Sequence, residues 1–323
     1  MSKRTQLKVV IIGFGSIGQR HYNNLKKLGV TNLTVFDTDR KKIPKTIPQV
    51  GSLNLKTLRQ FTVALITTPN STHITVATRC AKAGCHLFIE KPLSHSLRGI
   101  PGLVDLCQKK KLITMVACNI RFHPCVQFMK KYVESGKLGK IYTMHFETGY
   151  YLPYWRPNQD YRKNYAAKKN LGGGAVLDAG IHELDLLFWF NDFSKVQRAS
   201  LVTTKVSDLQ IETEDAGIAT FMFANKRIGS VRCDYLQRRY GRTAQIVGQY
   251  GTLEYDYLQN TVWLGDQKGK RQLFTMKKYD INNFYLDEFK YFLGQLEKGR
   301  KTFNSISDGA TVLSYALKGY EKK

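Results

Sequence analysis

Residues 8–21, KVVIIGFGSIGQRH, decide how the rest of the chain is read. A short apolar run breaks into Gly13, Gly15 and Gly18 at G-x-G-x-x-G spacing, and helix-forming residues follow at once. A run that is apolar throughout reads as a strand covered on both faces. The glycine spacing is weak evidence alone, but a strand before it and a helix after it are the context in which it binds a dinucleotide. Gly13 permits the tight turn, Gly15 lets a pyrophosphate approach the backbone, and Gly18 lets the helix pack on the strand. Ser16, Ile17 and Gly18 open the helix, whose free N–H groups face the anion. The next apolar run, NLTVFD, ends at Asp37, 19 residues past Gly18, where a carboxylate can hold the adenosine ribose hydroxyls. Asp37 repels a 2′-phosphate and so favours NAD. Arg40, Lys41 and Lys42 lie just beyond it and could hold that phosphate, which keeps NADP as the lesser alternative.

Working outward, strand and helix patterns alternate as far as about residue 120. VALITTPN, HLFIEKP and LITMVAC read as strands, with helices over residues 71–83 and 98–110 between them. This alternation predicts a doubly wound parallel sheet, a Rossmann domain over residues 1–121. After a helix near 124–135 the pattern changes to longer alternating strands: IYTMHFETGY, VQRASLVTTKV, DAGIATFMFA, IGSVRCDY, RTAQIVGQYG and TLEYDYL. They predict an α+β domain over residues 122–323 with an open, mostly antiparallel sheet for substrate binding and oligomerisation. Two helical pieces over 284–320 close the chain, and packing of the C-terminal helix back on the first domain is expected.

Inside the second region lies GGGAVLDAGIHELDLLFWF, residues 172–190. At about 100° per residue a helix brings Asp178, His182 and Asp185 onto one face. Buried charges are costly unless paired or used. Either neighbouring backbone satisfies these groups, or they serve chemistry. Histidine titrates near neutrality, so His182 is a candidate general base. Asp178 could orient a substrate hydroxyl or share its proton. Asp185 could extend the polar stripe or pair with a basic residue. The three glycines are expected to let the first turn approach cofactor or sugar closely. Glu90 and Lys91 end the strand HLFIEKP, on the side of an open α/β sheet where ligands bind. There Lys91 would supply positive charge as an alkoxide develops.

In this order the motifs resemble the Gfo/Idh/MocA oxidoreductases, the family of glucose-fructose oxidoreductase and inositol dehydrogenase. The resemblance rests on GFGSIGQRH, TTPNSTH at 67–73, AGCHLFIEKP at 83–92, NIRFHP at 119–124 and GGGAVLDAGIHELD at 172–185. It implies an NAD(P) cofactor and chemistry on a carbinol of a sugar, nucleotide sugar or cyclitol. It implies Lys91, Asp178 and His182 as catalytic residues, with Arg121 beside them on substrate. It implies Thr68, Pro69, Asn70, His73, Glu90, Lys91 and Asn119 along the cofactor, and Trp155 and Arg156 at its edge. Two other functions stay open on the same fold: a glycosidase-like enzyme that recycles bound NAD, and a non-catalytic sugar or dinucleotide sensor.

Composition narrows the remaining classes. The 323 residues carry 50 Lys and Arg against 25 Asp and Glu, a net charge of +25. The excess is scattered in twos and threes with no nucleic-acid-binding signature, so no nucleic-acid partner is expected. A solvated lysine-rich surface accounts for it. An anionic substrate or cofactor is the functional alternative, since a positive field speeds capture of anions. Six cysteines without CxxC or zinc spacing read as buried hydrophobes of a reducing compartment, and no metal is expected. The basic start resembles a signal peptide only superficially, and no apolar run reaches membrane-spanning length. A cytoplasmic protein is therefore expected. The outer face of the second sheet needs cover, which suggests a homodimer or homotetramer. Tyr150, Tyr151, Tyr154, Trp155, Tyr161 and Tyr165 form either a sugar-stacking wall or a packed loop.

Overall fold

The computed structural model describes residues 6–276 and 280–320; the basic start over residues 1–5 lies outside them. The chain divides into two compact units, one of Met1–Asn119 with Ile281–Leu313 and one of Ile120–Asp280 with Ser314–Lys323.

The first unit is built on five strands: β1 (Val9–Ile12), β2 (Leu33–Phe36), β3 (Val63–Ile66), β4 (His86–Glu90) and β5 (Thr114–Ala117). They lie in the order β2-β1-β3-β4-β5 and every pairing is parallel. β1 and β3 are buried along their whole length, which explains why they read as unbroken apolar runs. Helices α1 (Ser16–Lys27), α2 (Leu55–Leu58), α3 (His73–Ala83) and α4 (Ile100–Lys109) connect the strands. Helix α1 ends where Gly29 takes a φ of +83°, and α3 where Gly84 takes +98°, left-handed positions that suit glycine.

The second unit begins with α5 (Pro124–Glu134) and carries an eight-stranded sheet. Its strands are β6 (Ile141–Gly149), β7 (Val196–Thr204), β8 (Ala216–Phe223), β9 (Ile228–Asp234), β10 (Gly241–Gly248), β11 (Gly251–Asp256), β12 (Thr261–Asp266) and β13 (Gly269–Thr275). The order is β13-β12-β11-β10-β6-β9-β8-β7, antiparallel except where β6 runs parallel to β9. β8 shows the alternation that such a sheet requires. Gly217, Ala219, Phe221 and Phe223 are buried while Ile218 and Thr220 face outward. Strands β12 and β13 extend the sheet beyond the last strand legible in the sequence. β13 is an edge strand whose first four residues, GKRQ, are exposed. Charged edges protect a sheet from further pairing and leave no apolar periodicity to read.

On the inner face lie the short helix α6 (Leu152–Trp155) and the principal helix α7 (Ile181–Phe190). All of α7 except Trp189 is buried. Gly229 lets it settle on the sheet, since a Cβ there would stand 2.5 Å from Leu187. The stretch before α7 departs from the expected single α-helix: Val176–Gly180 forms a π-helical turn. Asp178 and His182 therefore straddle a change of helical pitch. Turns of this kind occur frequently at functional sites.

Helices α8 (Asn282–Lys298) and α9 (Ile306–Leu317) follow. α8 belongs to the first unit, where Phe289 stacks on Phe88 of β4 at 4.7 Å and 24°. From Ser314 the chain belongs to the second unit, where Tyr315 stacks on Phe188 of α7 at 5.2 Å. Among the described residues no helix is long and apolar enough to cross a membrane.

Candidate active site

The glycine loop is shaped by close backbone packing. Gly13 takes a φ of +96°, and a Cβ on it would lie 2.7 Å from the Thr67 carbonyl oxygen. A Cβ on Gly18 would lie 2.2 Å from the Gly13 carbonyl oxygen, so helix and turn can meet only without a side chain. Gly15 instead faces open space within 4 Å, the clearance a pyrophosphate needs. Thr67 fastens the turn by donating its hydroxyl to the carbonyls of Ile12 (3.0 Å) and Gly13 (2.6 Å). Asp37, at the end of β2, accepts N–H groups from Phe14 (2.7 Å) and Asp39 (2.8 Å), one on each oxygen. Each oxygen keeps acceptor capacity for a ribose hydroxyl. Ser16 and Ile17 open α1. Arg40 starts a one-turn 3-10 helix, Arg40–Lys42, all of it exposed. The cradle therefore fits a dinucleotide: a bare turn, a helix N-terminus and an acid at the second strand end.

Thr68, Pro69 and Asn70 follow β3, and Asn70 is buried at the start of a 3-10 turn. Buried His73 ties this loop to the segment after β4, with Nε2 2.8 Å from the Thr68 carbonyl and Nδ1 3.0 Å from that of Pro92. Burial holds its imidazole below the ordinary range, against the pull of those carbonyls. Lys91 is half-buried at the carboxyl end of β4, before a cis bond to Pro92. Glu90, expected along the cofactor, is buried under internal bonds. One oxygen lies 2.5 Å from Nε2 of fully buried His21 on α1, and the other accepts the Lys91 N–H at 3.2 Å.

In the second unit, Asp178 is enclosed by tyrosines. Tyr150 donates to Oδ2 at 2.9 Å and Tyr235 to the same oxygen at 3.3 Å, while Tyr165 donates to Oδ1. Burial first, then the Asp178 charge, pushes the phenols of Tyr150 and Tyr235 well above the ordinary range. They remain donors, and three donors on one carboxylate favour its charged form. Asp178 is 8% and His182 9% exposed, so both still reach the surface of the unit.

Two of the glycines before this turn, Gly173 and Gly174, are packed against the chain itself. A Cβ on Gly173 would lie 2.3 Å from the Tyr165 carbonyl oxygen, and one on Gly174 2.3 Å from the Glu214 carboxylate. They let the chain approach its own neighbours. Glu214 accepts the Val176 N–H at 3.0 Å and the Tyr320 hydroxyl at 2.5 Å, and its burial raises its pKa. Asp185 is the partner of Arg121: the guanidinium donates Nε to Oδ2 at 2.7 Å and Nη2 to Oδ1 at 2.6 Å. Arg121 was expected on substrate, yet its residue exposure is 0%. It offers no surface to a ligand in this conformation and braces the Asn119–Phe122 turn against α7 instead. Glu183 pairs with Arg242 on β10 at 2.7 Å, largely buried.

The aromatic cluster divides between packing and exposure. Tyr150 is buried, whereas Trp155 is 49% exposed and stacks on it at 4.4 Å and 27°. Tyr154 and Arg156 are exposed as well. Tyr235, Glu214 and His21 support the site, and no local spacing marks any of them for that role. Tyr235 sits in an ordinary strand end, and only the fold brings it to Asp178.

A parallel-sheet nucleotide cradle joined to an open-sheet unit with a buried Asp and His defines a dinucleotide-dependent oxidoreductase. The chain belongs to the GFO/IDH/MocA oxidoreductase family. The model of its NAD-binding Rossmann fold matches residues 7–118, and that of its C-terminal domain matches residues 126–254. The chain is 26% identical to myo-inositol 2-dehydrogenase of Thermotoga maritima, over 97% of this chain and 95% of that enzyme. It is 28% identical to levoglucosan dehydrogenase of Pseudarthrobacter phenanthrenivorans, over 59% of this chain and 54% of that enzyme. Its fold is shared with a levoglucosan dehydrogenase solved with NADH, at a TM-score of 0.83 and 20% identity, covering 97% of this chain and 96% of that one. It is also shared with UDP-N-acetylglucosamine 3-dehydrogenase from Acidithiobacillus ferrooxidans, at 0.78 and 21% identity with the same coverage.

Proposed function

We propose that this protein is an NAD-dependent dehydrogenase acting on a secondary alcohol or ketone of a sugar, nucleotide sugar or cyclitol, with Lys91, Asp178 and His182 as its catalytic residues. Bound NAD supplies the hydride acceptor. The observation that carries the reading is the Asp178 carboxylate, fixed by three phenols on a π-helical turn just before His182. Such a carboxylate is preorganised to hold a hydroxyl group in one orientation. Removing hydride from an alcohol leaves its proton to be taken up, and His182 is the base for it. Lys91 supplies the positive charge that stabilises the oxygen as it becomes an alkoxide. Gly13, Gly15, Ser16, Ile17, Gly18 and Asp37 hold the dinucleotide, with Thr68, Pro69, Asn70, His73, Glu90, Asn119, Trp155 and Arg156 lining or shaping its site. Arg40 stands where it would meet a 2′-phosphate, and Asp37 makes NAD the preferred form.

The names of the relatives, dehydrogenases of inositol and levoglucosan, support this reading over an NAD-recycling glycosidase or a sensor. The enzyme works in the cytoplasm as a homodimer or homotetramer, without nucleic acid or membrane. The exposed apolar residues Tyr142, Ile218 and Ile228 on the outer sheet face support that association. The test is nicotinamide absorbance with NAD and a panel of cyclitols, sugars and nucleotide sugars. Substrate-dependent NADH formation is expected. Release of a sugar without net NADH, or no turnover with any member, would overturn the assignment.

A further inference from the structure

Around the Asp178 cage, basic side chains divide into two kinds. Some have an acid partner. Arg162 is clamped by Asp160 at 2.8 Å, Lys168 by Glu212 at 2.6 Å and Arg242 by Glu183 at 2.7 Å. Arg238 has no acidic partner among the described residues, and it is exposed. Its Cζ lies 3.6 Å from the centre of the Tyr151 ring and 6.0 Å from that of Tyr154, while those two rings meet edge to face at 4.7 Å. A guanidinium resting on an aromatic face uses its own face for that contact. Its five N–H donors lie in the guanidinium plane; the Tyr151 and Tyr154 hydroxyls engage some of them, and a guanidinium has more donors than two phenols take up, which leaves others for an anion. The aromatic shelf also restrains a side chain that would otherwise lose considerable rotamer freedom on binding.

The loop that carries Arg238 is tied to the cage at both ends. Tyr235, on one side, donates to Asp178. Tyr240, on the other, packs against Trp155 at 5.7 Å, and Trp155 stacks on Tyr150, a second donor to Asp178. Arg239, beside Arg238, is exposed too. A restrained guanidinium without an acid partner thus stands on the rim of the same aromatic cluster that holds the catalytic carboxylate.

From this arrangement we infer that the substrate carries an anionic group, a phosphate, diphosphate or carboxylate, and that Arg238 on its Tyr151–Tyr154 shelf receives it. The inference rests on the dehydrogenase reading and narrows its substrate class. Asp178 alone would repel an anion placed against it, so the charged group must be held away from the reacting carbinol, and a rim site does that. The net charge of +25 acts in the same direction by steering anions toward the protein.

The experiment pairs each neutral sugar or cyclitol with a phosphorylated, uronic acid or nucleoside-diphosphate counterpart, and measures kcat/KM with NAD for the wild type and Arg238→Gln. The anionic member of a pair is expected to be favoured at least tenfold. The substitution should remove most of that preference through KM, with kcat little changed. Which counterpart loses most identifies the anion. Equal kcat/KM for neutral and anionic members, or an undiminished preference in Arg238→Gln, would overturn the proposal. Failure of every compound to reduce NAD would instead strike the dehydrogenase reading. Thermal shift with the same pairs then decides the anion site alone. A stabilisation by anionic members that Arg238→Gln abolishes supports it, and one that persists ends it.

Discussion

The glycine loop and the tyrosine cage build sites by opposite means. At the loop the chain dispenses with side chains. Gly13 and Gly18 carry none because backbone carbonyls stand 2.7 and 2.2 Å from where a Cβ would be. What such a loop offers a ligand is bare N–H groups and a helix end. At the cage the backbone recedes and side chains fix one another: three phenols on Asp178, Asp185 on Arg121, Arg242 on Glu183. A site made of backbone binds a group common to many enzymes. A site made of interlocked side chains can be adapted to one substrate without disturbing the other.

If that division is real, the two regions should fail separately. The largest effect is expected from His182→Ala, with turnover down about a thousandfold, within the range for loss of a general base. NAD affinity, read by titration of nicotinamide fluorescence, should stay within about twofold of wild type on the order expected for an untouched site. A large loss of NAD affinity would join what is separated here. The mirror experiment is Gly13→Ala. A side chain at a φ of +96° against the Thr67 carbonyl should weaken NAD binding and destabilise the fold by roughly 1–3 kcal/mol. Calorimetric melting and NAD titration check both, and an unchanged affinity would remove the loop from the cofactor site.

The smallest effect sharpens the comparison from beneath the second region. His123 accepts the Cys125 N–H at 3.1 Å at the start of α5, and burial lowers its pKa to about 4. Folded, it stays neutral. Unfolded, it takes a proton near 6.5. The unfolded state therefore binds more protons between those values, and stability falls as pH drops from about 6.5 toward 4. By pH 5 the loss should reach about 2 kcal/mol, at about 1.4 kcal/mol per unit. His123→Asn keeps a capping acceptor and loses the titration, so urea melts at pH 7 and pH 5 should differ less in the variant. The same pH slope in both proteins would place the sensitivity elsewhere.

The loop was legible because its parts are contiguous: strand, glycines and helix follow one another, and Asp37 ends the next strand. Local spacing is enough to state such a site. Asp178 and His182 were legible as residues but not as a structure. No periodicity announces the π-helical turn, and the phenols come from positions 150, 165 and 235, joined only by the fold. Arg121 could be aligned with a motif, yet nothing local tells that Asp185 is its partner. The strands of the first unit were plain because both their faces are covered. β13 is not legible because an edge strand is written in polar residues.

Tyr320 has a practical bearing. Its phenol grips Glu214, which receives the Val176 amide at the head of the turn bearing Asp178. Two side-chain links thus run from Tyr320 to the turn that carries Asp178. Removing the Tyr320 hydroxyl, as in Tyr320→Phe, would slacken that line without touching Asp178 itself.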